Sequence, residues 1–246
     1  MFERAALGNL RKNPKLWEEL TAYRAHSPAT GASYADYWLL YSIIRRLRPK
    51  EVLECGTGLT TIVLAAALAD NDRDFKVKGR VTSMENIPKY HEQAKKLFPE
   101  RLLPYTDLRQ SEKVEDSYYL FRGVRYREIP ERPYSFVYVD GPKTSIEDPV
   151  TGKKTKTFNM DLIRVVEQST VPVYALVDTR ISTCFVFEKI FKEGTVRFDY
   201  AREVGVVGPV TKNDLLSTNE MMRQLGVHPI RRFSLLRDVV SHFKAL

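Results

Sequence analysis

The chain has little cysteine and little histidine. Cys55 and Cys184 are its two cysteines in 246 residues. That is too few for a disulfide framework, and their spacing does not suit zinc. Reduced thiols in a cytoplasmic protein are the expected state. The four histidines, at 26, 91, 228 and 242, are scattered, which suggests surface or packing roles. No apolar run reaches eighteen residues, so no membrane-spanning helix and no membrane partner are expected. The opening Met1-Phe2-Glu3-Arg4 lacks the basic-then-apolar layout of a secretory signal. Internal repeats and low-complexity segments are also missing.

Positive charge is abundant. Lysine and arginine total 39 against 31 acids, a formal charge of +8. Such a surplus suits an anionic small molecule or a nucleic acid. The bases are dispersed, however. Arg45, Arg46, Arg48 and Lys50 belong to a predicted helix with an apolar opposite face, so they read as a solvated face. Arg231 and Arg232 could serve either role. Lys153, Lys154 and Lys156 lie in a long polar stretch, Lys143 to Phe158, of a length usually reserved for functional loops.

Hydrophobic residues make up 43% of the chain, enough for one large α/β domain. The pattern predicts an N-terminal helical lid segment over 1–33 and a main domain over 34–246. Leu40, Ile43, Ile44 and Leu47 repeat at helical spacing, and Pro49 ends that helix. Val52-Leu53-Glu54-Cys55-Gly56-Thr57-Gly58-Leu59-Thr60-Thr61 then reads as a buried strand, a glycine turn and the start of an apolar helix from Ile62 to Leu68. In such sheets a ligand sits beyond the carboxyl end of the strand. Glu54 would repel a pyrophosphate there and welcome a ligand with an ammonium and a sulfonium, such as S-adenosylmethionine. Thr61 stands where a dinucleotide fingerprint has its third glycine, which counts against a nicotinamide oxidoreductase.

Three further strand ends follow. Val81 to Asn86 ends in Glu85 and leads into a helix from Pro88 to Phe98, with Tyr90, Ala94 and Leu97 expected on one face. Phe136 to Pro142 stops at Asp140-Gly141-Pro142. Val173 to Thr179 carries Asp178, which should neighbour Asp140. A polar loop is predicted from Asp70 to Gly79, and a strand from Tyr105 to Gln110. Tyr118 to Pro130 suits a two-stranded excursion or an aromatic wall. Ser182 is expected to cap a helix running to Phe191. An antiparallel pair is expected over Val196–Tyr200 and Val204–Val210, then helices over Asp214–Leu225 and Phe233–Leu246. The last has an apolar stripe that could pack on the sheet or form a homodimer contact.

In this order the motifs resemble the class I S-adenosylmethionine-dependent methyltransferases, over about Tyr34 to Val210. The resemblance implies a Rossmann-like fold, a mostly parallel seven-stranded sheet flanked by helices. It also implies cofactor contacts by Glu54 (ammonium), Gly56 and Gly58 (close backbone), Thr57, Thr60 and Thr61 (carboxylate), Glu85 with Asn86 (ribose) and Ser111 or Glu112 (adenine). Thr30, Ser33 and Tyr34 would be lid contacts. Asp140 would lie next to the transferred methyl, as base, with Asp178 second and Lys143 as electrostatic helper. Catechol-type O-methyltransferases hold Mg²⁺ with a comparable acid pair plus an Asn. Thr179 replaces that Asn here, which weighs against a metal on Asp140 and Asp178. No Asn/Asp-Pro-Pro-Tyr/Phe sequence occurs, which disfavours amino-methylation of nucleic acids. O-methylation of a small or sugar-type, anionic acceptor is the leading expectation. RNA or protein methylation, and a non-catalytic protein retaining the fold, stay open.

Overall fold

The central feature of the computed structural model is a seven-stranded sheet whose order departs from chain order. The structure describes residues 2–27, 33–148 and 150–226. The expected helix over 233–246, Arg231, Arg232, His228, His242 and Thr30 lie outside the described residues. In chain order the elements begin α1 (Phe2–Arg11), α2 (Pro14–His26), α3 (Tyr34–Leu47), β1 (Glu51–Cys55), α4 (Leu59–Phe75), β2 (Arg80–Glu85), α5 (Pro88–Leu97) and β3 (Thr106–Gln110). Next come β4 (Lys113–Tyr118), β5 (Phe121–Tyr126), β6 (Phe136–Val139), β7 (Ser145–Glu147), β8 (Lys154–Lys156) and α6 (Asp161–Gln168). The last are β9 (Val173–Asp178), α7 (Ile181–Ile190), β10 (Val196–Asp199), β11 (Val204–Val210) and α8 (Thr218–Gln224).

The sheet order is β10-β11-β9-β6-β1-β2-β3. Its pairings are parallel except where β11 meets β9 and β10. This is the expected Rossmann-like sheet with its antiparallel closing pair. The chain runs outward from β1 to β3 and then returns to β6 on the other side of β1. That reversal opens a crevice at the carboxyl ends of β1 and β6.

Alternation along the strands sorts the core into two faces. Leu53, Val137, Val139, Val173, Ala175 and Val177 join the cluster beneath α6 and α7. Val52, Val81, Phe136, Tyr138 and Leu176 join the cluster beneath α1 to α4. The same parity sends Glu54, Glu85, Asp140 and Asp178 toward the α1–α4 face. Four carboxylates from four neighbouring strands therefore converge on one side of the crevice.

Several expectations change. The polar stretch after Leu68 is helical up to Phe75, with Lys76 closing it at φ 58°. Tertiary contacts hold it. Asp70 accepts from Tyr41 Oη at 2.6 Å and Asn13 Nδ2 at 2.9 Å, while Asn71 Nδ2 donates to the Ile44 carbonyl at 2.9 Å. The buried stripe of α5 is His91 and Ala94, and Tyr90 is exposed. Ser182 lies inside α7, whose N-cap is Arg180 with no side-chain capping bond. The helix expected from Asp214 is a 3-10 turn, Lys212–Asp214, followed by the short α8. Tyr118 to Pro130 contributes to the β4–β5 hairpin, with Tyr118 and Tyr126 buried in the core. Within the Lys143–Phe158 stretch, β7 and β8 pair antiparallel, the latter carrying Lys154 and Lys156.

Candidate functional site at the strand tips

Two glycines hold the crevice together. Gly56 has φ 108°, and a Cβ there would lie 3.2 Å from the Asp140 carbonyl carbon and the Gly141 nitrogen. The turn after β1 thus rests directly on the turn after β6. Gly58 has open space around the place a Cβ would take.

Glu54 is fully buried at the tip of β1. Its Oε2 accepts from Thr61 Oγ1 at 2.5 Å and from Ser83 Oγ at 2.6 Å. Its Oε1 has no hydrogen-bond partner among the described residues. Burial pushes its pKa up to about 7, against the pull of the Ser83, Thr60 and Thr61 hydroxyls. Thr60 and Thr61 are themselves buried, and the Thr57 hydroxyl pairs with Ser83 at 2.8 Å. Thr60 and Thr61 thus hydrogen-bond the carboxyl of Glu54, whereas Thr57 is half-exposed and bonds Ser83.

Glu85 ends β2, nearly buried. Its Oε1 accepts from the Ile87 amide at 2.8 Å, and the Asn86 and Thr57 amides lie close enough to favour its charged form. Burial raises its pKa, with those amides opposing. Asn86 is half-buried beside it. Ser111 follows β3, and its Oγ accepts from the Glu128 amide at 3.0 Å. Glu112 turns away, to an exposed pair with Arg127 at 2.8 Å. Ser33 caps α3 through a reciprocal box with Asp36, and Tyr34 Oη accepts from Arg24 at 2.8 Å, so both have structural partners.

Asp140 and Asp178 meet as expected at the ends of the paired strands β6 and β9, and each carboxyl acts on the other. Burial raises both pKa values. The charge of Asp140 adds to the rise at Asp178, and Arg180 opposes it at Asp140. Arg180 was not anticipated. Its Nη2 bonds the Asp140 carbonyl and lies 3.4 Å from Asp140 Oδ1. Lys143, the cation expected there, is exposed. One signal was available: a base at a helix N-terminus opposes the helix dipole and calls for a local reason.

For a divalent cation the residues do not fit. Arg180 already neutralises Asp140, and Thr179 adds no carboxamide oxygen. No group of three or more His, Cys, Asp or Glu suited to a metal occurs among the described residues. At the N-terminal end of α7, a groove of about 530 Å³ is lined by Leu120, Phe158, Ile181 and Phe185, together with Arg122 and Lys156.

No family model matches the chain, and no curated protein matches it. Among solved structures it is similar to the O-methyltransferase TomG from Streptomyces achromogenes, involved in tomaymycin synthesis, in complex with SAM. Identity there is 18%, over 70% of this chain and 68% of that one, with a TM-score of 0.43. It is also similar to an O-methyltransferase from Bacillus cereus in complex with SAH, at 16% identity over 78% of this chain and 89% of that one, TM-score 0.47. The fold assignment rests on the strand order itself, not on these likenesses.

Proposed function

We propose that the chain binds S-adenosylmethionine at the tips of β1 and β2 and methylates an oxygen of a small acceptor held near Asp140. The observation that carries this reading is the unpartnered Glu54 Oε1. A buried carboxylate oxygen without a donor is costly, and a ligand ammonium would satisfy it. The tips of β1 and β2 carry two buried carboxyls, Glu54 and Glu85, which suits a cofactor of net positive charge and disfavours a pyrophosphate.

When bound, the cofactor supplies a methyl group already activated by its positively charged sulfur. The protein's part is then alignment and exclusion of water. Glu54 would take the ammonium. Glu85, held by the Ile87 amide, would accept both ribose hydroxyls, with Asn86 beside them. Gly58 leaves room for close approach of the ligand. Ser111, whose oxygen accepts from Glu128, keeps its own proton to donate toward the adenine. Asp140 and Asp178 would receive the acceptor proton. The apolar groove with Arg122 and Lys156 in its lining supports a small acceptor with an apolar body and an anionic group.

Calorimetric titration with S-adenosylhomocysteine tests the reading, with NAD⁺ as control. Micromolar to submillimolar binding of the first alone is expected, and Glu54→Gln should weaken it about tenfold or more. Binding of NAD⁺ alone, or of neither at millimolar ligand, would end it.

A further inference from the structure

Arg180 is placed by an unusual piece of backbone. Thr179, a β-branched residue, takes φ 45° directly after β9, where such residues rarely go. Its amide is held by the Glu203 carbonyl at 2.9 Å. Strain of this kind persists where the surrounding structure enforces it, often beside reacting groups. The consequence here is that the next residue turns back across the β9 tip onto β6. The Arg180 guanidinium then bonds the backbone oxygen of Asp140 and sits 3.4 Å from its carboxylate. The side chain is only 20% exposed. Its Nε–H is buried and has no acceptor among the described residues. A buried guanidinium with an unmatched donor is suited to an anionic oxygen brought by a ligand.

We propose that Arg180 carries the fixed positive charge of the acceptor site, beside Asp140 and Asp178, in the role a divalent cation has in metal-dependent O-methyltransferases. This rests on the methyltransferase reading above. The acceptor hydroxyl gives its proton to Asp140. Its oxygen forms the bond to the methyl carbon, and the electron pair of the broken carbon–sulfur bond stays on sulfur. Arg180 steadies the oxygen while it carries negative charge, and no metal is required. The guanidinium also makes the acid pair a poor cation site, because a second positive charge a few ångströms away is repelled.

The test compares the wild type, Arg180→Ala and Arg180→Lys by electron paramagnetic resonance titration with Mn²⁺, alongside calorimetry with S-adenosylhomocysteine. The wild type should bind no Mn²⁺ up to about 1 mM. Arg180→Ala should bind Mn²⁺ about tenfold more tightly or better, at unchanged homocysteine-ligand affinity. Arg180→Lys, which keeps the charge, should behave as the wild type. Stoichiometric micromolar Mn²⁺ binding by the wild type would overturn the assignment even if Arg180→Ala fails to fold. So would a folded Arg180→Ala with no gain. Loss of S-adenosylhomocysteine binding in the wild type would instead overturn the cofactor reading, and the acceptor role with it, whatever the Mn²⁺ result.

Discussion

Gly141 and Gly56 meet backbone to backbone: a Cβ on Gly141 would fall 2.9 Å from the Gly56 Cα, 3.0 Å from Tyr126 Oη and 3.1 Å from the Cys55 carbonyl. Two of these three neighbours are main chain and cannot swing aside. Gly141→Ala should therefore destabilise the protein by about 2 kcal/mol or more, seen as a lower urea midpoint. Gly58→Ala meets open space and should cost less, about 1 kcal/mol as a weaker N-cap. It should still reduce S-adenosylhomocysteine affinity. Equal stability of the two variants would contradict the contact.

Glu54 and Asp161 give a pH prediction. Both are fully buried carboxyls raised to about 7 by burial, from ordinary values of 4.5 and 3.8. Raised acids contribute their stability as neutral groups. That contribution is complete below about pH 4 and is lost as pH climbs through 7, on the order of 3 kcal/mol for each. The ligand-free protein should thus lose urea resistance between about pH 4 and 7 and level off above that, and Glu54→Gln should flatten part of the slope.

The same group predicts proton release on binding. A ligand ammonium favours ionised Glu54, so complex formation near pH 6.5 should expel up to about one proton. Calorimetry in buffers of different ionisation enthalpy reads this directly. Glu54→Gln should release less. A release identical in the variant would assign the proton to another group.

Glu85→Ala should weaken S-adenosylhomocysteine by about a hundredfold, the worth of two hydrogen bonds to a charged acceptor. The conservative Glu85→Gln, which keeps an acceptor for the Ile87 amide, should also weaken the ligand while its thermal midpoint shifts little. Unchanged affinity would remove Glu85 from the ribose role.

Salt separates small acceptors from nucleic acid. Much of the arginine charge is paired, as in Arg132 with Asp107 at 2.6 Å and Arg164 with Asp116 at 2.9 Å. Cofactor binding should be nearly indifferent to ionic strength. An RNA retained by the protein with a steep loss of affinity between 50 and 200 mM salt, about a thousandfold, would point to the nucleic-acid reading instead.

The sequence by itself determined the sheet and the positions of its acids. Short apolar runs ending in Glu54, Glu85, Asp140 and Asp178 are local signals, and strand period two then sets their shared face. Tertiary structure decided what those acids touch. Ser83 reaches Glu54 from 29 residues away, and Arg180 reaches Asp140 across 40. The polar Asp70–Phe75 stretch reads as loop from composition, yet folds as helix because Asn13, Tyr41 and Ile44 pair with its polar groups. Periodicity and turn chemistry act between neighbours in the chain, whereas burial, partner choice and pKa depend on groups that only the closed sheet brings within a few ångströms.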